Sequence, residues 1–522
     1  MMYHQARHDR RLIFEKEGET DFSMPLQEEV SDVAPENMRR DRLDIPSLPE
    51  REVVKHYTNL SEMNFGVDNG FYPLGSCTMK YNPKYADAVS SLPTVANIHP
   101  YQDEDSIQGA LQLMHELEKA LCEIGGVDAV TLQPAAGAHG EFTGMLLAKA
   151  FFTHKGEDRT EVVIPDTAHG TNPASAAMAG FSVTEVPSSK TGCMDLEALQ
   201  STVSEQTAAF MITNPNTLGI FEEEVQRIGE IVHDVGALLY YDGANLNAVM
   251  GWTNPGKMDF DIVHFNLHKT FATPHGGGGP GAGPVGVRKH IEPFLPVPRI
   301  VSRNGKYALD YDLPDSIGKV RPFFGNFAVL VRAYAYILKM GGDGLKAASE
   351  RAVLNSNYMK EKLKGAFDLP FKDLRKHEFV ISAKRLKEQK DVRALDVAKR
   401  LLDYGLHAPT IYFPTLVEEA LMIEPTETET KETLDLYIDT LKRIAEENPM
   451  LIRSAPHNTS ARRIDEVYAA KEAILSWRSF KRKEKEKEDG RPAEKDKGDC
   501  TLCRSIVGDM DSLKKRIGRS VD

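Results

Sequence analysis

The residues best equipped for chemistry follow a short apolar run, Ile262, Val263 and Phe265, where the chain delivers His268 and Lys269 and then enters the glycines 276–279. A lysine at the point where a strand gives way to flexible backbone has its amine close to water and ligand. Neighbouring groups can lower its pKa until it is a nucleophile suited to imine chemistry. Asp242 closes the preceding apolar run, Ala-Leu-Leu-Tyr-Tyr. An acid at the end of a buried strand is costly unless it is paired, and a protonated pyridine nitrogen would be a suitable partner.

Other apolar runs end in chemically capable segments as well. Gln133-Pro-Ala-Ala-Gly-Ala-His-Gly-Glu141 is a glycine turn opening a helix, and exposed amides there bind phosphate, which singles out Gly137 and Ala138. His169, in Asp166-Thr-Ala-His-Gly-Thr-Asn172, could stack on an aromatic ring. Thr213-Asn-Pro-Asn-Thr217 offers the amide of Asn214 and the hydroxyl of Thr217 to a phenolate or carboxylate. Asn245, Asn266 and His268 complete the set of expected cofactor contacts. A Schiff-base lysine, an acid that keeps a ring an electron sink and amides that hold a phosphate are what pyridoxal 5'-phosphate requires.

Alternating apolar and helical patterns must position these residues. Strands are predicted over 129–133, 161–165, 182–186, 208–213, 237–242 and 261–266, with helices over 106–124, 140–152, 172–179, 195–204 and 223–235. Such alternation implies an α/β fold with a mostly parallel sheet covered on both faces, whose ligands sit outside the carboxyl ends of the strands. Beyond residue 340 the pattern becomes a smaller α+β domain, with helices over 344–363, 392–404 and 429–446 and strands over 377–382, 410–413 and 420–424. The expected organisation is an arm over 1–65, a large cofactor domain over 66–340, a small domain over 341–480 and a charged, disordered tail over 481–522.

Composition bounds the reading further. The 522 residues, 41% hydrophobic and 27% charged, suit two or three globular domains. A net charge of -13 argues against general nucleic-acid affinity, and no apolar run approaches the roughly 20 residues of a membrane span. The acids Asp9, Glu15 and Glu17 and the lack of an apolar core near the N-terminus argue against secretory and mitochondrial signals. Scattered Cys77, Cys122 and Cys193 suggest a reducing compartment, so a cytoplasmic protein is expected. Gly281-Ala-Gly-Pro-Val-Gly286 matches a dinucleotide fingerprint only formally, because Pro284 and a β-like Val-Gly-Val replace the required helix. His264 and His268 lack the intervening Glu of a zinc-protease helix, and Cys500-Thr-Leu-Cys503 lacks a second ligand pair, so no metal is expected.

Five segments together, Pro73-Leu-Gly-Ser-Cys-Thr-Met-Lys80, Leu132 to Glu141, Ala168-His-Gly-Thr-Asn-Pro-Ala-Ser175, Tyr241-Asp-Gly-Ala-Asn-Leu-Asn247 and Leu267-His-Lys-Thr270, resemble the glycine decarboxylase P-protein family of the glycine cleavage system. Ile423-Glu-Pro-Thr-Glu-Thr-Glu429 extends the resemblance toward the C-terminus, and the length is similar to subunit 2 of the two-subunit form. The resemblance implies a fold-type-I, aminotransferase-like architecture and pyridoxal phosphate as cofactor. It also implies an α2β2 assembly with a homologous, lysine-less subunit 1, and a lipoylated H-protein as co-substrate for glycine decarboxylation. On its motifs, Lys269 is the Schiff-base lysine, His169 the ring-stacking residue and Asp242 the partner of the ring nitrogen. The residue that grips the glycine carboxylate is not identified. Two other readings stay open at this point: a related pyridoxal enzyme needing no carrier protein, and a catalytically silent scaffold subunit, against which the presence of Lys269 argues.

Overall fold

The computed structural model of the chain describes residues 12–16, 36–38, 46, 48–276, 281–459, 461–471 and 473–488. Most of the expected arm, most of the glycine run 276–279, and the tail beyond 488 with Cys500 and Cys503 lie outside the described residues. Two compact units are present: Ser61–Arg462, and a second formed by residues between His8 and Leu60 with those from Arg463 onward. In the second unit the helix Trp477–Glu488 carries the start of the charged stretch, and Phe14 stacks on Trp477 with ring centroids 5.8 Å apart.

The unit Ser61–Arg462 is built on a seven-stranded sheet. Its strands are β1 (Ala129–Thr131), β2 (Glu161–Pro165), β3 (Ser182–Val186), β4 (Thr207–Thr213), β5 (Leu238–Gly243), β6 (Ile262–Phe265) and β7 (Val285–Val287). The spatial order is β1-β7-β6-β5-β4-β2-β3. Strands β3, β2, β4, β5 and β6 run parallel, while β7 is antiparallel to both β6 and β1. The Val-Gly-Val run that argues against a dinucleotide loop is this antiparallel strand.

Every residue of β4, β5 and β6 is buried, as expected for a sheet covered on both faces. Side chains alternate between two apolar clusters: Phe210, Ile212, Leu239, Tyr241 and Val263 enter one, and Ala209, Met211, Leu238, Tyr240 and Ile262 the other. That period of two is the pleat of the strand read directly from sequence. The helix Gly137–Lys155 packs tightly on this sheet because a Cβ at Gly144 would lie 2.3 Å from the Tyr240 ring.

A hairpin, β8 (Arg299–Arg303) and β9 (Lys306–Asp310), leads into the helix Phe327–Leu363, which is interrupted at Gly341 by a φ of 61°. Its turns ahead of Gly341 begin well before the predicted start at 344, because Val329, Leu330, Ala333 and Tyr336 are buried against the large sheet's core cluster. Beyond it lies a three-stranded antiparallel sheet, β10 (Phe379–Ser382), β11 (Thr410–Ile411) and β12 (Ala420–Ile423), ordered β10-β12-β11. It has its own core, in which Phe379, Ile381, Leu421 and Ile423 meet Tyr437 and Leu441 of the helix Lys431–Glu446. Among the described residues no helix is long and apolar enough to cross a membrane.

Candidate active site

The loops after β2, β4, β5 and β6 and the turn after β1 converge on one cavity of about 250 Å³. Lys269 and Asp242 both line it, together with Gly137, Ala138, His169, Thr217, Asn266 and His268. Eight expected contacts therefore face one space. Two do not. Asn214 is fully buried, accepting from the Glu222 amide at 3.0 Å. Asn245 donates to the Pro215 carbonyl at 2.8 Å and contacts Glu378 at 3.5 Å. Both side chains brace the backbone behind the cavity, because that backbone is buried and must be paired.

Lys269 sits in the single turn Leu267–Thr270 that follows β6, half-buried, and its Nζ donates to the Ser76 carbonyl at 2.7 Å. Asp242, one residue before the end of β5, is 1% exposed. The next residue has to be glycine, since a Cβ at Gly243 would lie 1.9 Å from the His264 carbonyl oxygen. Asp242 Oδ1 accepts from the Ala244 amide at 2.9 Å and lies 3.2 Å from His264 Nε2. Its Oδ2 accepts from Thr213 at 3.2 Å and Asn172 at 3.3 Å.

Burial acts to raise the Asp242 pKa. His264, the Ala244 amide, Lys269 and His169 together outweigh it and hold the carboxyl below its ordinary value. Behind it, His264 Nδ1 lies 2.8 Å from the Tyr240 hydroxyl. Burial keeps that phenol protonated, so Tyr240 donates to Nδ1, and burial also pushes the His264 imidazole down; its Nε2 lies 3.2 Å from Asp242 Oδ1 and 2.9 Å from Asn266 Nδ2. Glu141, which also lines the cavity, has the opposite fate. Burial and the neighbouring Asp242 charge raise it to about 8, and Thr171 donates to it at 2.9 Å.

The turn after β1 supplies the anion cradle. The first amides of the helix Gly137–Lys155 have no carbonyl one turn earlier to pair with, and they face the cavity beside Ala136. A Cβ at Gly137 would lie 2.1 Å from Asn266 Oδ1, so only glycine admits this close approach. His169 stands at the solvent-exposed mouth, its Nδ1 3.0 Å from the Thr171 hydroxyl. Thr217 donates to the Thr167 carbonyl at 2.8 Å, and His268 is driven to about 3 by burial and by His275. An amine, an ionised acid, open helix amides and a ring at the mouth fit an aromatic aldehyde bearing a phosphate. No arginine lines the cavity among the described residues.

Ser76, Glu141, Thr171, Thr213 and His264 also line the cavity but escape sequence reasoning. His264 had a signal: it sits two residues ahead of Asn266 in the predicted strand 261–266, whose pleat would point both the same way, although the observed strand ends at Phe265. Ser76 had none, because its place beside Lys269 depends on a contact 193 residues long in sequence.

The fold and cavity define an α/β protein of the aminotransferase type, and a family described as aminotransferase class-V matches residues 142–282. A second family, described as glycine dehydrogenase, C-terminal domain, matches residues 348–467. Over 492 residues the chain is 59% identical to the probable glycine dehydrogenase (decarboxylating) subunit 2 of Pyrococcus horikoshii, covering 92% of this chain and 98% of the relative. The corresponding protein of Caldanaerobacter subterraneus is 57% identical, with 89% and 98% covered. The chain belongs to the family of glycine dehydrogenase (decarboxylating) subunit 2. Among solved structures, a glycine decarboxylase (P-protein) of the glycine cleavage system in inhibitor-bound form superposes with a TM-score of 0.66. That pair is 20% identical, with 78% of this chain and 93% of that one covered. A cysteine desulfurase from Thermococcus onnurineus has a TM-score of 0.57 at 17% identity, with 73% and 95% covered.

Proposed function

We propose that this chain is the lysine-bearing subunit of a pyridoxal-phosphate-dependent glycine decarboxylase that releases CO2 and passes the aminomethyl group to the lipoyl disulfide of an H-protein. The observation that carries the reading is the placement of Lys269 and Asp242 on one cavity with open helix amides, in a chain aligned with 98% of a glycine dehydrogenase subunit 2. Relatives named subunit 2 imply a partner subunit, and we assign that role to a homologous, lysine-less subunit 1 in an α2β2 assembly. The reducing-compartment signature of the cysteines supports a cytoplasmic setting.

When bound, pyridoxal phosphate supplies an electron sink for the pair left by the departing carboxylate. Lys269 would be the residue that holds the cofactor's aldehyde covalently. Asp242, ionised and held by four hydrogen-bonding neighbours, keeps a proton on the ring nitrogen. That charge is stabilised most where electrons arrive, so it accelerates the reaction rather than merely tightening binding. The amides of Gly137 and Ala138 would hold the phosphate, and His169 at the mouth would be the residue available to cover the ring. In the overall step the glycine C–COO⁻ bond breaks, CO2 leaves, and the methylene carbon bonds one lipoyl sulfur. The S–S bond breaks and the other sulfur takes a proton, so the disulfide is the group reduced.

The test is borohydride reduction of the purified protein followed by peptide mapping, then glycine–bicarbonate exchange with and without a lipoylated carrier and subunit 1. The reading expects cofactor fixed to Lys269 and exchange that depends on the carrier. Carrier-independent decarboxylation would favour a pyridoxal enzyme of another kind, and no label on Lys269 would overturn the assignment.

A further inference from the structure

The Lys269 amine is received by a carbonyl that belongs to an unusual piece of backbone. Ser76 and Thr78 both adopt positive φ, 65° and 48°, although neither is glycine. Residues with a Cβ avoid that region, so something must hold them there. The holder is a pair of buried acids 46 residues apart in the sequence: the Ser76 amide donates to Glu378 at 2.7 Å and the Thr78 amide to Glu424 at 2.8 Å. Both carboxylates are 0% exposed, and each uses its other oxygen to face His377 Nε2, at 3.7 Å and 3.9 Å.

The acids come from the two sides of one antiparallel pair. Glu378 immediately precedes β10, and Glu424 immediately follows β12, with Phe379 paired to Ile423. The strap itself docks on the same edge: Leu74 bridges Ile423, and the Glu424 amide donates to the Pro73 carbonyl at 3.2 Å. Further along, buried Lys80 is paired with Glu427 at 2.6 Å. Two acids buried this deeply beside one another need a reason, because burying a charge is expensive and like charges repel. Hydrophobic packing would have served the sheet better.

We propose that Glu378 and Glu424 are positioning residues for Lys269: together they clamp the Ser76–Thr78 strap in its left-handed form and so fix the Ser76 carbonyl that receives the amine whenever it is not covalently engaged. The proposal rests on Lys269 being the imine-forming residue. Burial and the neighbouring Glu424 hold Glu378 well above the ordinary carboxylate range, and Glu424 is raised as well. This pull toward the protonated form eases their mutual repulsion while leaving an oxygen on each to accept an amide. Burial holds His377 neutral, at about 3, so it adds no charge.

The clamp is tested on cofactor-free protein, by the rate at which trinitrobenzenesulfonate labels Lys269, read by peptide mapping across pH. An amine held by the Ser76 carbonyl is less free to attack the reagent, so loss of that hold must speed labelling. Glu378→Leu is expected to label Lys269 at least five-fold faster at pH 8. Glu378→Gln, whose carbonyl can still accept from Ser76, is expected to stay within two-fold of the parent. Glu424→Leu should move the rate in the same direction by a smaller factor. A folded Glu378→Leu protein labelled at the parent rate would overturn the clamp. Should the leucine variants not fold, hydrogen exchange of the parent protein decides: the Ser76 and Thr78 amides are expected to be protected, and exchange at the free-peptide rate sinks the proposal. A stoichiometric metal bound by Glu378, Glu424 and His377 would also overturn it. Failure of borohydride to fix the cofactor on Lys269 removes the functional reading yet leaves the labelling result standing, so the two failures are separable.

Discussion

Lys269 lies between two buried acid sites that behave in opposite ways. On the side of the parallel sheet, Asp242 is 1% exposed yet remains below its ordinary pKa. On the side of the three-stranded sheet, Glu378 and Glu424 are 0% exposed and are pushed up. The difference lies in their partners. Asp242 meets His264, the Ala244 amide and two side-chain donors. Glu378 receives one strap amide and a long contact from Asn245, Glu424 receives one strap amide, and the two acids face one another across a neutral imidazole. Burial alone does not decide the charge of an acid; the balance of donors against like charges does. The site that favours its charge suits electronic work on a ring, and the one pushed toward its protonated form suits holding backbone.

The largest expected effect that would break this contrast is on Lys269 itself. Lys269→Ala should abolish borohydride-fixed cofactor and lower glycine–bicarbonate exchange by at least about a thousandfold, as loss of a covalent anchor does. Next comes Asp242→Asn, which keeps the shape but removes the charge. Exchange should fall by roughly 10²–10³, the scale of one lost electrostatic stabiliser, while cofactor is still retained. Near-normal exchange would remove Asp242 from its electronic role and with it the contrast between the two sites.

A third prediction sharpens the contrast through pH. Glu141 has a folded pKa of about 8 against 4.5 unfolded, so the folded state binds the extra proton between those values. Its contribution to stability is fully present below pH 4.5 and is lost as pH rises toward 8. Glu141→Gln should flatten that decline, gaining up to a few kcal/mol relative to the parent near pH 8, as measured by denaturant unfolding across pH. A parallel pH dependence in both proteins would refute the assignment. The smallest effect is expected at the cradle. A methyl at Gly137 would lie 2.1 Å from Asn266 Oδ1, so Gly137→Ala should cost about 1–3 kcal/mol and weaken cofactor retention, read by equilibrium dialysis.

Much of the site is legible in the sequence because strands of a parallel sheet end where ligands bind. Predicted strands 161–165 and 182–186 coincide with the observed ones, and the rule of reading strand ends reaches Lys269, Asp242, His169 and the turn at Gly137. Asn214 and Asn245 follow the same rule and yet turn away, since their amides are needed by buried loop backbone. Periodicity cannot tell a donor that faces the ligand from one that braces the loop. The hairpin of β8 and β9 and the first turns of the helix Phe327–Leu363 are not predicted at all. The helix start is missed although Val329, Ala333, Tyr336 and Ile337 are buried at i, i+4, i+7 and i+8, the spacing of a helical stripe.

Local pattern and the residues at strand ends were thus determined by the sequence itself, because apolar spacing and turn chemistry act over a few neighbours. The environment of those residues was decided only in three dimensions. The Ser76 amide meets Glu378 across 302 positions and Lys269 reaches the Ser76 carbonyl across 193. No local propensity encodes such a contact. It exists because two sheets, each burying its own core, bring their edges to the same amine, and there the partners each acid finds set its charge.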